Sequence, residues 1–138
     1  MFTYKAQIKR IIDADSWVLE WIDLGFGIKK HNVVVRAYGI DTEESRVKCA
    51  TTKYYGVLAK EYVKSCLKPG QQVHVKAYKD STGKFGRLLA SVYDKGLSKA
   101  SINARLVRNH LAVEYYGQSK SEVKAAHLLN RKVIDSVS

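Results

Sequence analysis

The chain has 138 residues, 46% of them hydrophobic, which suits one ordinary buried core and leaves little room for a second independent domain. A formal charge of +11, from 24 basic against 13 acidic side chains, points to a polyanionic partner, although charge alone does not choose between nucleic acid, an anionic membrane surface and mere solubility. Cys49 and Cys66 lack metal-ligand spacing and exclude a disulfide scaffold, and the opening Met1-Phe2-Thr3-Tyr4-Lys5 alternates in polarity where a signal peptide or membrane span needs an apolar run, so free thiols and a cytoplasmic location are expected.

From Tyr4 to Ile12 apolar Tyr4, Ala6 and Ile8 alternate with Lys5, Gln7 and Lys9, a period of two that predicts a strand, and Asp13-Ala14-Asp15 ends it in an acidic turn. Trp17 to Ile22 and Asn32 to Ile40 are rich in aromatic and branched residues, giving three consecutive antiparallel strands. The stretch Leu24 to Lys30 between them looks longer than a hairpin needs, and Phe26, flanked by glycines, reads first as an exposed turn and second as a contact for substrate or partner. Trp17 and Trp21, four residues apart on a strand, are expected to share a face turned to the core.

The period changes between Thr52 and Leu67. Tyr55, Leu58, Ala59, Tyr62, Val63 and Cys66 recur at helical spacing, with Pro69-Gly70 as the stop. Strands return at Gln72 to Lys79 and Gly86 to Tyr93 around a polar turn. Ser98 is placed to cap a helix carrying Ile102, Leu106 and Val107, and a last amphipathic helix runs from about Ser119 to Ile134. This order predicts an α+β fold, mainly β: a five-stranded Greek-key OB barrel with three flanking α-helices, in a single domain over residues 1–138.

The acids are not spread evenly. Five of the eight in residues 1–69 fall into two groups, Asp13 with Asp15 and Asp41 with Glu43 and Glu44, and a bound cation is the usual relief for such repulsion. Three segments at strand ends therefore draw attention: Asp13-Ala14-Asp15-Ser16, Arg36 to Glu44, and Gly83-Lys84-Phe85-Gly86-Arg87. The four histidines, His31, His74, His110 and His127, are scattered and give no support to a zinc site or a hydrolase triad.

Together these segments resemble the staphylococcal nuclease family, whose pattern is Asp-Gly-Asp-Thr, then Arg with four residues before Asp-Thr-Pro-Glu, then Lys-Tyr-Gly-Arg. The likeness extends from roughly Arg10 to Ile134 and takes in Leu106 to Ala112. It implies a sugar-non-specific endonuclease acting on DNA, RNA or both and leaving 3′-phosphates. One divalent cation, Ca2+ first with Mg2+ or Mn2+ as alternatives, would be held by Asp15, Asp41 and the carbonyl of Thr42. Arg36 and Arg87 would bind phosphate oxygens as planar, permanently charged forks, and Glu44 would position or deprotonate the attacking water.

Lys84, Phe85, Lys48 and either Tyr115 or Tyr116 would contact substrate, with Lys48, Lys53 and Lys84 acting chiefly as electrostatic guides. Nothing calls for a membrane or an obligate protein partner, and a monomer is expected. The departures are Ala14 for glycine, which would cost about 1 kcal/mol if φ there is positive, Ser16 for threonine, Glu43 for proline and Phe85 for tyrosine. A noncatalytic binding module of the same fold is the competing reading, and Asp13 reads equally well as a solvated turn carboxylate.

Overall fold

The computed structural model describes residues 2–78 and 87–137. Alternation along the chain becomes the two faces of a curved sheet. Strands β1 (Phe2–Asp13), β2 (Ser16–Gly25) and β3 (Ile28–Ala37) form an antiparallel meander. A two-residue strand β4 (Ile40–Asp41) precedes helix α1 (Ala50–Cys66), and β5 (Gln72–Ala77) and β6 (Leu88–Tyr93) follow. Helix α2 (Ile102–Arg108), a second short strand β7 (Val113–Glu114) and helix α3 (Lys120–Val137) complete the order.

The sheet closes in the order β1-β2-β3-β6-β5, with β5 returning to β1 and β3 meeting β6 in parallel. This is the strand order of an OB barrel, and the three helices flank it. Ala6, Ile8, Trp17, Leu19, Val35, Val75, Ala90 and Val92 fill the interior. Ala59 and Val63 of α1, and Ile102 and Leu106 of α2, extend the same core. Burying such side chains contributes about 1.5–3 kcal/mol each for the larger ones, which ties the helices to the barrel.

Three local expectations are corrected. Trp17 is wholly buried, but Trp21 is only half-buried, and Lys29 Nζ lies 4.1 Å from its ring centroid. Gln7 pairs with Trp21 while Ile8 pairs with Leu19, so one extra residue on β2 makes a bulge and inverts the face parity between the two tryptophans. The turn after β2 is short, with Gly25 paired to Ile28. Gly25, Phe26 and Gly27 all take positive φ, which closes a two-residue hairpin and leaves Phe26 fully exposed. Finally, Ser101 caps α2 in place of Ser98, its hydroxyl accepting from the Ala104 N–H at 3.0 Å.

No described helix is long and apolar enough to cross a membrane.

Candidate active site

The β1–β2 turn, the end of β3 with the chain beyond it, the start of β6 and one side of α3 meet around an open cleft. Asp13 and Ser16 pair across the first turn, and Ser16 pairs in turn with Arg36 on β3. The Asp15 carbonyl accepts from the Ala37 N–H at 2.9 Å, fastening the acidic turn to β3. The short β4–β7 ladder, with Asp41 opposite Val113, brings the second acidic group to the same place.

Arg36 stands between the two candidate metal ligands. Its Nη2 is 3.6 Å from Asp15 Oδ2 and 3.7 Å from Asp41 Oδ1, while Nη1 donates to the Ala37 carbonyl at 2.9 Å and fixes the guanidinium plane. Burial raises the Asp15 carboxyl above its ordinary value. Arg36 lowers it, Asp13 and Asp41 raise it, and the Thr42 hydroxyl lowers it. Arg87 immediately precedes β6, whose Leu89 is the parallel partner of Arg36, and both arginines line the cleft.

The acidic groups divide their work. Asp13 Oδ1 accepts from the Ala14 N–H at 2.9 Å and from Ser45 Oγ at 2.8 Å, tying the first turn to the residue after Glu44. Glu43 is bound by Arg131 of α3, through Nε to Oε2 at 3.0 Å and through Nη2 to Oε1. Glu44 is exposed and lines the cleft. Its backbone rests on α1, where Gly56 leaves room: a Cβ at Gly56 would lie 2.4 Å from both the carbonyl carbon and oxygen of Glu44.

Ala14 is wholly buried and its φ is not positive, so the methyl group adds core packing without the backbone cost expected for a glycine position. Tyr115 lines the cleft. Tyr116 instead sets its ring 6.0 Å from that of Tyr38, edge to face, and Tyr38 stacks on Tyr78 at 3.8 Å. Lys48 is exposed on the chain before α1 and is not among the residues lining the cleft. Lys84 and Phe85 lie outside the described residues.

Among the described residues, no three His, Cys, Asp or Glu side chains gather into a group that could hold a metal ion. The donors that do converge are the carboxylates of Asp15 and Asp41, hard oxygens sharing one cationic neighbour. An open oxygen set of this kind fits a hard cation whose shell is completed by backbone carbonyl, water and phosphate, and it does not fit a soft or thiophilic ion.

The sequence pattern did not single out α3. Lys120, Lys124, His127 and Arg131 recur at steps of four, three and four, which puts them on one helix face, and all four line the cleft. That spacing was the available signal. His127 is buried, with Nε2 2.8 Å from Asp41 Oδ2.

Residues 34–133 match the family model for staphylococcal nuclease homologues. The match covers Arg36, Asp41, Thr42, Glu44, Arg87 and Tyr115, and begins after Asp15. No curated protein matches the chain significantly.

Proposed function

Because the chain belongs to the staphylococcal nuclease family, we propose that it is an active, sugar-non-specific endonuclease that hydrolyses phosphodiester bonds of DNA or RNA with the help of one divalent cation. Ca2+ is the preferred ion, and 3′-phosphate products are expected from the resemblance. The observation that carries the reading is the meeting of Asp15, Asp41, Arg36, Arg87 and an exposed Glu44 in one cleft of a strongly basic chain.

Hydrolysis at phosphorus needs an aimed water and a home for growing negative charge. Asp15 and Asp41, with the Thr42 carbonyl, would hold the cation, which when bound supplies Lewis-acid neutralisation of the phosphate. Arg36 and Arg87 donate paired hydrogen bonds to phosphate oxygens and keep their charge throughout. Glu44 is the carboxylate left for the attacking water, since Glu43 is held by Arg131. Tyr115 supports base or sugar contact from the cleft wall, Lys48 and Lys84 are assigned as electrostatic guides for the substrate, and Phe85 as a ring for stacking.

Gel assays of single-stranded DNA, duplex DNA and RNA with Ca2+, Mg2+, Mn2+ or chelator test this directly. Metal-dependent cleavage is expected, and Glu44→Gln is expected to lower kcat by about 10²–10⁴-fold with the fold intact. Retarded but uncut nucleic acid under every metal would replace the enzyme with a noncatalytic binding module. Full activity in Glu44→Gln would remove the role given to that residue.

A further inference from the structure

Helix α3 grips the second acidic group, Asp41 with Glu43, at two points one helical turn apart. His127 Nε2 lies 2.8 Å from Asp41 Oδ2, so with Asp41 ionised that nitrogen carries the proton and donates it. Arg131 holds both carboxylate oxygens of Glu43 and reaches Thr52 Oγ1 on α1 at 3.2 Å. The spacings agree: four residues of helix rise about 6 Å, and two residues of extended chain advance about 6.6 Å. An i, i+4 pair on α3 is therefore in register with Asp41 and Glu43.

The grip is braced from behind. The Arg131 guanidinium lies 5.0 Å from the centre of the Tyr55 ring, and the Tyr55 hydroxyl donates to Asp135 Oδ1 at 2.6 Å, one turn further along α3. The Arg131–Glu43 pair is shielded, with side-chain exposures of 20% and 10%, and His127 is 10% exposed against Asp41, which at 32% stays open to the cleft, so these are not the loose surface pairs that contribute little.

We propose that His127 and Arg131 are positioning residues that make α3 a clamp on the extended 41–44 segment. His127 engages Oδ2 of Asp41 and leaves Oδ1 turned to Arg36 and the cation site. Arg131 occupies both carboxylate oxygens of Glu43 and so fixes the backbone from which Glu44 projects, supplying the rigidity that a proline at position 43 would otherwise give. The clamp rests on the nuclease reading of the same site.

The test is calorimetric titration of the full chain with Ca2+ alone, together with kcat and KM for cleavage and thermal melting as a check of folding. His127→Leu is expected to weaken Ca2+ binding about 10–100-fold, the usual effect of losing a hydrogen bond to a metal ligand. His127→Gln, whose amide nitrogen can replace Nε2, should retain most of the affinity, and the shorter His127→Asn should not. Arg131→Gln should change Ca2+ affinity little while lowering kcat more than it alters KM.

Folded His127→Leu with wild-type Ca2+ affinity overturns the clamp, as does Arg131→Gln with wild-type kcat. Should His127→Leu fail to fold, equal affinities for the Gln and Asn variants overturn it instead. A wild-type chain that takes up no Ca2+ and cuts nothing overturns the parent reading and the clamp with it, an outcome recognisable before any variant is made.

Discussion

Asp15 ionises with burial and two neighbouring carboxylates against it and only Arg36 and Thr42 in its favour. Its carboxyl is thereby raised above 3.8 in the folded chain, so the folded state binds the proton more tightly than the unfolded state does. Ionisation of Asp15 therefore disfavours folding at pH values above the raised pKa, and the deficit fades as pH falls toward 3.8. In chelator at pH 7, Asp15→Asn is expected to melt at a higher temperature than the wild type, with the difference vanishing below pH 3.8. Saturating Ca2+ should reverse the order, because only the wild type gains the ion's binding energy. A lower melting temperature for Asp15→Asn in chelator would mean that the pairing with Arg36 outweighs the burial. The two glutamates beside Asp41 show the same logic of allocation. Adjacent in sequence and identical in chemistry, they are told apart in the sequence by the family register, which favours Glu44, and in the fold by Arg131, which engages Glu43 and leaves Glu44 exposed.

Helix α1 illustrates how an element's apparent flaw becomes a seat for the site. A glycine inside a helix costs about 1 kcal/mol relative to alanine, and on an open face Gly56→Ala would stabilise. Here the added methyl would meet the backbone of Glu44 and Ser45, at 2.4 Å and 2.7 Å, which cannot yield as a flexible side chain would. Gly56→Ala is expected to cost about 1–3 kcal/mol by overpacking and to lower kcat at least tenfold at temperatures where the variant remains folded, read from melting curves beside cleavage rates. A stabilised, fully active variant would show that the turn is free to lift off α1. The barrel strands and the buried faces of α1 and α2 were legible because period two and period 3.6 follow directly from which side of an element meets the core. The bulge that turns Trp21 outward was not, since one extra residue leaves composition unchanged while inverting parity. Ser98 lies three residues too early to be the cap of α2, because the turn that carries the chain on to Ser101 leaves no periodic signal. The strand-end acids and Arg36 were legible as chemistry, whereas His127 and Arg131 were hidden because polar residues on a helix face look solvated until another element covers them.

Across the whole molecule, charge and site are arranged as complements. The chain carries +11, yet the cleft gathers carboxylates around Arg36, with Arg87 on the same cleft, and further cations line it: Arg46, two residues beyond Glu44, and Lys120 and Lys124 on the first turns of α3. A polyanion is then attracted by the rim and handled chemically at the centre, a division expected to separate binding from turnover. Lys120 and Lys124 belong to the rim, since they line the cleft on the turns of α3 that precede His127, the residue that engages Asp41. Each lysine that neutralises a phosphate adds about 0.9 to the slope of log affinity against log salt for duplex DNA and about 0.7 for single strands. The double variant Lys120→Gln with Lys124→Gln should therefore flatten the salt dependence of KM by up to about 1.8 on duplex substrate, raise KM at low salt and leave kcat nearly unchanged. Cleavage rates from low to moderate salt measure all three. A fall in kcat with an unchanged slope would move these lysines from the rim to the reacting phosphate, and an unaltered slope and KM would mean that the polyanion enters along another side of the barrel, leaving α3 to serve the acidic turn alone.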